Sequence, residues 1–222
     1  MISVIIPAFN EADRIGATVC ALRESLPDAE IIVVDDGSTD CSADIVARFP
    51  NVKLLRHPNN RGTGAALKTG IRAASSDIVV MTDGDGTYPN HEIPRLLAEL
   101  KSCDMVIGAR TSEQGSLRFL RTPAKTFIRW LASYLTDTKI PDLNSGLRAF
   151  RRDLAIRFFN ILPQGHSFVS TITLAFLSSG LYVRFVPIEY IVVKAAVRNS
   201  IRSPIRIATC YWLCAPSCTS IR

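Results

Sequence analysis

The chain has 222 residues, 47% of them apolar and 21% charged, which excludes a disordered chain and suffices for a core without cross-links. Twelve glycines and twelve prolines are ordinary numbers and exclude collagen-like or low-complexity readings. The net charge of +6 is segregated: residues 1–109 carry 10 Lys/Arg against 15 Asp/Glu, residues 110–157 carry 10 against 4, and residues 184–222 carry 6 against 1. An acidic first half and a basic second half point to an anionic partner for the second half.

The elements alternate. Ile2–Pro7 is a continuous apolar run that reads as a buried strand, and Ala12–Ser25 has helical periodicity. Glu30–Asp35 is a second strand, followed by a helix from about Ser42 to Arg48. Asn51–Leu55 and Thr63–Ala74 form the next strand and helix, then Asp77–Thr82 and His91–Leu100, then a fifth strand at Asp104–Ile107. Strands apolar on both faces and alternating with helices predict an α/β fold with a mostly parallel sheet covered on both sides. Further on, Arg121–Thr136 reads as an amphipathic helix and Leu143–Phe150 as a strand or turn. Asp153–Asn160 and Ser167–Ser179 read as helices, and Tyr182–Pro187 as a strand.

Ile2–Pro7 is too short for the apolar core of a signal peptide and has no basic residue before it. Phe158–Val183 is uncharged, but Asn160, Pro163, Gln164, Gly165 and His166 make it buried soluble structure rather than a membrane span. Cys20, Cys41 and Cys103 lack zinc spacing and read as reduced thiols of a cytosolic protein. Cys210, Cys214 and Cys218 recur every four residues and read as a bland tail or a lipid attachment point.

Polar clusters follow three strands: Asn10-Glu11, Asp35-Asp36-Gly37-Ser38 and Asp83-Gly84-Asp85-Gly86. Ligands of open α/β sheets bind beyond the carboxyl ends of the strands, so these clusters converge on one crevice. Asp83 and Asp85 straddle a glycine that lets the backbone approach a ligand. Hard cations such as Mg²⁺ or Mn²⁺ share one or two such carboxylates with substrate phosphates. Asp35 and Asp36 suit ribose hydroxyls or a base N–H, while Ser38 or Asp40 suits a helix N-cap. Asn59-Asn60-Arg61-Gly62-Thr63-Gly64-Ala65 precedes a helix whose N-terminus suits either phosphate or a plain capping turn. It is neither a Walker loop nor a full dinucleotide fingerprint.

Ile5-Ile6-Pro7-Ala8-Phe9-Asn10-Glu11, Val33-Val34-Asp35-Asp36-Gly37-Ser38-Thr39-Asp40, Asn60-Arg61-Gly62 with Gly64-Ala65-Ala66, and Asp83-Gly84-Asp85 occur in that order. Together they resemble the family 2 glycosyltransferases. Asp83–Pro89, Val106–Arg110 and Leu143–Phe150 resemble the branch of dolichol-phosphate mannose synthase and the bacterial polyprenyl-phosphate glycosyltransferases. The resemblance implies a GT-A fold, a Rossmann-like, mostly parallel sheet flanked by helices, as one domain over residues 1–190. Its nucleotide-binding part would be 1–110 and its acceptor part 111–190, with 191–222 a diverged or truncated tail. It further implies a nucleotide-sugar donor with Pro7, Phe9, Asn10, Glu11, Asp35, Asp36, Gly62 and Gly84 around the nucleotide. Asp83 and Asp85 would hold Mg²⁺ or Mn²⁺ and the diphosphate, and Arg110 would meet phosphate.

Transfer to an alcohol needs a general base, but the Asp142–Arg148 region lacks the Glu-Asp pair that many family members use. A phosphate monoester carries about −1.5 to −2 charges at neutral pH and needs cations instead. Candidates are Arg110, Arg118, Arg121, Lys125 and Arg148, with Asp142 as a base or a loop cap. The implied acceptor is dolichyl or undecaprenyl phosphate, whose phosphate oxygen attacks the sugar's anomeric carbon with inversion, on a peripheral enzyme at the cytoplasmic face of a membrane. No nucleic-acid partner is expected. After Pro187-Ile188-Glu189-Tyr190 the Gly-Lys-Ser-containing loop usual in the branch is missing. Two other readings stand beside the transferase: a sugar nucleotidyltransferase, disfavoured because Pro-Ala-Phe-Asn-Glu replaces a Gly-rich basic loop after the first strand, and a catalytically impaired nucleotide-sugar binder at a membrane.

Overall fold

The computed structural model describes residues 1–110, 133–134 and 138–189. Seven strands form one sheet in the order β3-β2-β1-β4-β6-β5-β7. They are β1 (Ile2–Ala8), β2 (Glu30–Asp35), β3 (Val52–Arg56), β4 (Ile78–Met81), β5 (Met105–Arg110), β6 (Arg148–Arg151) and β7 (Val183–Ile188). All neighbouring pairs are parallel except those of β6, which runs antiparallel between β4 and β5. The helices are α1 (Ile15–Ser25), α2 (Ser42–Ala47), α3 (Thr63–Ala73), α4 (Ile93–Glu99), α5 (Arg152–Arg157) and α6 (Phe168–Ser178). The expected mostly parallel α/β sheet is present, and each expected strand lies within a few residues of its predicted place. The predicted helix over Arg121–Thr136 and the tail after residue 190 fall outside the described residues, apart from a helical fragment at 133–134.

Both faces of the sheet are buried, because successive strand side chains alternate between them. Val4, Ile6, Ala8, Ile31 and Val33 pack against Ile15, Val19 and Leu22 of α1, together with Val46 and Leu96. Ile5, Ile32, Val34 and Met81 pack on the other face against Ala66, Leu67 and Ile71 of α3 and Phe168, Ile172 and Phe176 of α6. Gly70 lets α3 come down onto β1: a methyl there would lie 2.3 Å from Ile5 Cγ2.

The register aligns the carboxyl ends. Ala8 of β1 pairs with Asp35 of β2, and Ile5 of β1 with Met81 of β4. The chain therefore leaves β1, β2 and β4 at adjacent points along one edge of the sheet, with all three polar clusters on that edge.

Candidate active site

The first two loops are stitched together. Asn10 sits in the left-handed region at φ 57°, which asparagine tolerates better than most residues. Its N–H donates to Ser38 Oγ at 2.9 Å, and its Oδ1 accepts from the Thr39 N–H at 2.9 Å. Glu11 N–H donates to Ser42 Oγ at 2.8 Å and Ala12 N–H to Asp40 Oδ2 at 3.1 Å. Phe9 stays 43% exposed on this rim.

Asp35 and Asp36 are buried and bonded within the protein. Asp35 Oδ1 accepts from Ser38 N–H, and its Oδ2 from Arg56 Nε at 2.9 Å. Asp36 takes the Arg61 and Gly62 N–H groups at 3.0 and 2.8 Å, and contacts His57 Nδ1 at 2.6 Å. The sequence reading sets both acids against the nucleotide. In the structure the Asp36 carboxylate is taken up in clamping the 57–62 loop over Gly37. That glycine, at φ 74°, has no room for a methyl beside the Asn59 and Asn60 backbone.

The phosphate alternative for the start of α3 meets a steric obstacle. Ala65 N–H donates to Gln164 O at 2.9 Å, and a methyl on Gly64 would lie 2.5 Å from Pro163 O. The backbone of residues 163–165 covers that helix end, so the capping-turn alternative describes it.

The third loop carries Asp83 and Asp85. Thr18 of α1 donates to Gly84 O at 3.1 Å, which ties the loop to the first helix. Asp85 Oδ1 accepts from Thr87 N–H and Oγ1 at 3.0 and 2.6 Å, leaving Oδ2 available. The Asp83 pKa is raised to about 6, chiefly by burial, then by the Asp85 charge, with Arg148 and Arg110 acting against the rise. Burial and Asp85 also raise Glu11. Three carboxylates thus repel one another at the end of β4 and β1. Among the described residues no group of three or more His, Cys, Asp or Glu side chains is close enough to hold a metal by itself. The buried Asp83 carboxylate and the neighbouring Asp85 carboxylate fit a hard cation that completes its shell with phosphate oxygens and water. The chemistry and placement of Asp83 and Asp85 therefore suit a divalent metal.

Two arginines, Arg110 and Arg148, stand on β5 and β6 within electrostatic reach of Asp83. Arg110, at the end of β5, donates Nε to Asp142 Oδ2 at 2.7 Å and Nη2 to Asp142 Oδ1 at 3.0 Å. Burial pushes the Asp142 carboxyl up, but the hydrogen bonds and charge of Arg110 outweigh it and hold the pKa below the usual carboxylate range. An acid so held is a weak proton acceptor. Arg148 requires a correction. It is fully buried on β6, donating Nη1 to Val169 O at 2.7 Å and to Thr173 Oγ1 at 2.9 Å, with Nη2 bonded to Ser145 O. A guanidinium enclosed in this way is not placed to grip an acceptor phosphate. Burial pushes its pKa down to about 10, against the pull of Tyr88, Asp142 and Asp83. Arg118, Arg121 and Lys125 lie outside the described residues.

The family model for glycosyl transferase family 2 matches residues 3–159. The chain belongs to glycosyl transferase family 2. It is 30% identical over 200 residues to an undecaprenyl-phosphate mannosyltransferase of Micrococcus luteus, covering 84% of this chain and 82% of the relative. It is also 30% identical over 210 residues to a dolichyl-phosphate beta-glucosyltransferase of Trichomonas vaginalis, covering 84% of this chain and 62% of that one. Among solved structures, glucosyl-3-phosphoglycerate synthase of Mycobacterium tuberculosis superposes with a TM-score of 0.68 at 22% identity, over 88% of this chain and 73% of that one. That likeness shows the GT-A fold.

The sequence reading of this glycosyltransferase missed several residues. Tyr88 is buried and its hydroxyl accepts the Gly146 N–H at 2.7 Å, joining the Asp83–Asp85 loop to the segment before β6. His57 bridges Asp36 and Thr69 Oγ1. A tyrosine inside Asp83–Pro89 and a glycine inside Leu143–Phe150 were visible as motif members. Their contact across 58 positions has no local signal.

Proposed function

We propose that this glycosyltransferase moves a sugar from a nucleotide-sugar donor to a polyprenyl phosphate, with a divalent metal at Asp83 and Asp85. The observation that carries the proposal is the division of charge: carboxylates at the ends of β1 and β4, and the guanidinium of Arg110 at the end of β5. The first side suits a metal-bound donor diphosphate and the second an anionic acceptor. The names of the Micrococcus and Trichomonas relatives support a polyprenyl-phosphate acceptor. The synthase that shares the fold has been seen with Mn²⁺ and UDP, which supports the metal.

Mg²⁺ or Mn²⁺ held by Asp83 and Asp85 would neutralise charge on the departing nucleoside diphosphate. Glu11, Asp83 and Asp85 bind and orient that end of the donor. Pro7, Phe9 and Asn10 line the nucleotide, with the exposed Phe9 ring offering a face to the base. Asp35 and Asp36 shape the same wall through the loops that they hold. An ionised oxygen of the acceptor phosphate attacks the anomeric carbon as the bond from that carbon to the diphosphate oxygen breaks. Attack from the face opposite the leaving group inverts the carbon. The acceptor oxygen is already ionised at neutral pH, so no protein group takes a proton. Arg110 offsets acceptor charge, and Asp142 fixes the Arg110 guanidinium.

Among the described residues no helix is long and apolar enough to cross a membrane. We place the enzyme at the cytoplasmic surface of a membrane, where basic segments gain from anionic headgroups. The test is incubation with labelled UDP- and GDP-sugars, Mn²⁺ and undecaprenyl or dolichyl phosphate. Labelled lipid supports the proposal. Donor binding with no transfer to either lipid overturns the acceptor assignment.

A further inference from the structure

We propose that Gly146 is a positioning residue for the Asp83 carboxylate, held against it by the Tyr88 hydroxyl; the proposal rests on the reading of Asp83 as a metal ligand.

The need for glycine at 146 does not come from the backbone. Among the described residues the positive-φ glycines are Gly37, Gly62, Gly86 and Gly180, and Gly146 is not among them. The need comes from Asp83. A methyl at Gly146 would lie 2.8 Å from Asp83 Oδ2, 3.0 Å from Oδ1 and 3.1 Å from Cγ. The carboxylate therefore occupies the space that a side chain at 146 would fill. Among the described residues no hydrogen bond holds the carboxylate, and the close approach of this backbone limits where it can turn.

The segment on the other side cannot easily retreat. Gly146 N–H donates to Tyr88 Oη at 2.7 Å in a buried contact. Leu147 O accepts from Gly108 N–H at 2.9 Å, and Ser145 O is bonded to the buried Arg148. With both neighbours anchored, a methyl at 146 displaces the carboxylate rather than the loop. The Tyr88 hydroxyl sits three residues beyond Asp85, so one loop supplies both the two acids and the hook that holds their backstop.

A double-mutant cycle tests this. Binding of UDP and of GDP is measured by calorimetry with Mn²⁺ and with EDTA for the unaltered protein, Gly146→Ala, Asp83→Ala and the double variant. Thermal melting without metal is measured for all four. Gly146→Ala is expected to weaken Mn²⁺-dependent binding about 10–100-fold and to leave binding in EDTA within about twofold. It is expected to lower the melting temperature in the natural background and not in Asp83→Ala, where the methyl has room. Tyr88→Phe, which unhooks Gly146 without adding bulk, is expected to weaken the Mn²⁺-dependent component in the same direction. Equal effects of the methyl in both backgrounds, or unchanged Mn²⁺-dependent binding in Gly146→Ala, overturn the proposal. If Gly146→Ala does not fold, recovery of folding in the double variant supports it and lack of recovery overturns it. If Asp83→Ala leaves Mn²⁺-dependent binding intact, the metal assignment of Asp83 fails. The melting cycle then still reports whether the glycine serves the carboxylate.

Discussion

Arg110 holds Asp142 three times over, through Nε, through Nη2 and through its own backbone N–H at 3.3 Å to Oδ2. The Asp142 carboxylate also accepts from Asn144 N–H at 3.0 Å, so both its oxygens are engaged. This pair decides between two roles for Asp142. A general base gives an acidic limb to the rate profile that disappears when the base is removed. A residue that orients Arg110 gives a lower rate with the same profile. Asp142→Asn is expected to lower kcat about 10–100-fold by loosening Arg110 and to leave the pH profile unmoved. Loss of an acidic limb in the variant would assign Asp142 as the base.

The same pair predicts a stability effect. The folded pKa of Asp142 is depressed, so its contribution is present above the ordinary value of 3.8 and is lost as pH falls through the folded pKa. Between pH 5 and pH 8 the contribution is flat. Asp142→Ala removes the carboxylate that engages the guanidinium of Arg110, whose side chain is only 19% exposed. The expected cost is about 3 kcal/mol, read by urea denaturation at pH 7.

Asp83 has the opposite sign. Its folded pKa is raised from 3.8 to about 6, so the folded state binds the proton more tightly than the unfolded chain does. Without metal, its ionisation costs stability progressively as pH rises from about 4 to about 6, and the cost is constant above that. Asp83→Asn is therefore expected to stabilise the metal-free protein at pH 7 by about 1–3 kcal/mol, while removing Mn²⁺-dependent nucleotide binding. In the proposed metal site proton and metal would compete for this carboxylate, so Mn²⁺-dependent binding in the unaltered protein should fall as pH drops through 6. A metal-free variant that is less stable than the parent would contradict this account.

Much of this arrangement was legible in the sequence because it is local. The runs Val4–Ile6, Ile31–Val34 and Val79–Met81 announce strands buried on both faces, and the polar residues after them announce loops at one edge. What was not legible depends on contacts between distant segments. Arg148 reads as a phosphate-binding arginine in a basic region. Its burial follows from β6 inserting antiparallel between β4 and β5, with Arg148 opposite Met81 and Ile107. Asp36 reads as a ligand-facing acid because it follows a strand. Its use as a clamp depends on Arg61 and Gly62 folding back from 25 and 26 positions away. A short motif gives the residue type and the edge of the sheet, while the partner of a side chain is set by topology.

The Asp36 clamp is testable on its own. Asp36→Ala removes the acceptor of the Arg61 N–H, one of the two acceptors of the Gly62 N–H, and the carboxylate partner of the buried His57 ring. Each stranded buried donor costs about 1–3 kcal/mol, although solvent reaching the opened loop reduces the sum. The loss should be concentrated in residues 57–62, so hydrogen exchange at Arg61 and Gly62 should rise far more than in β1 or α1. Nucleotide affinity should fall both with and without Mn²⁺, because in the proposed site the clamp shapes the base side and not the metal side. A selective loss of the Mn²⁺-dependent component would instead put Asp36 beside the metal.

Arg148 gives a complementary test at the metal side. Its buried charge lowers the Asp83 pKa that burial raises, although no hydrogen bond joins the two. Arg148→Met keeps an unbranched apolar stem in the same space and deletes the charge. It also takes the guanidinium partner from Ser145 O, while Val169 O keeps the Thr173 hydroxyl, so the protein should lose stability despite shedding a buried ion. With the positive field gone, the Asp83 carboxyl holds its proton to higher pH. The midpoint of Mn²⁺-dependent nucleotide binding should therefore move upward from about 6, while its plateau at high pH is largely kept. A direct phosphate contact predicts something different: a lower plateau at every pH with an unmoved midpoint. Binding titrations at half-unit pH steps in Arg148→Met separate the two outcomes.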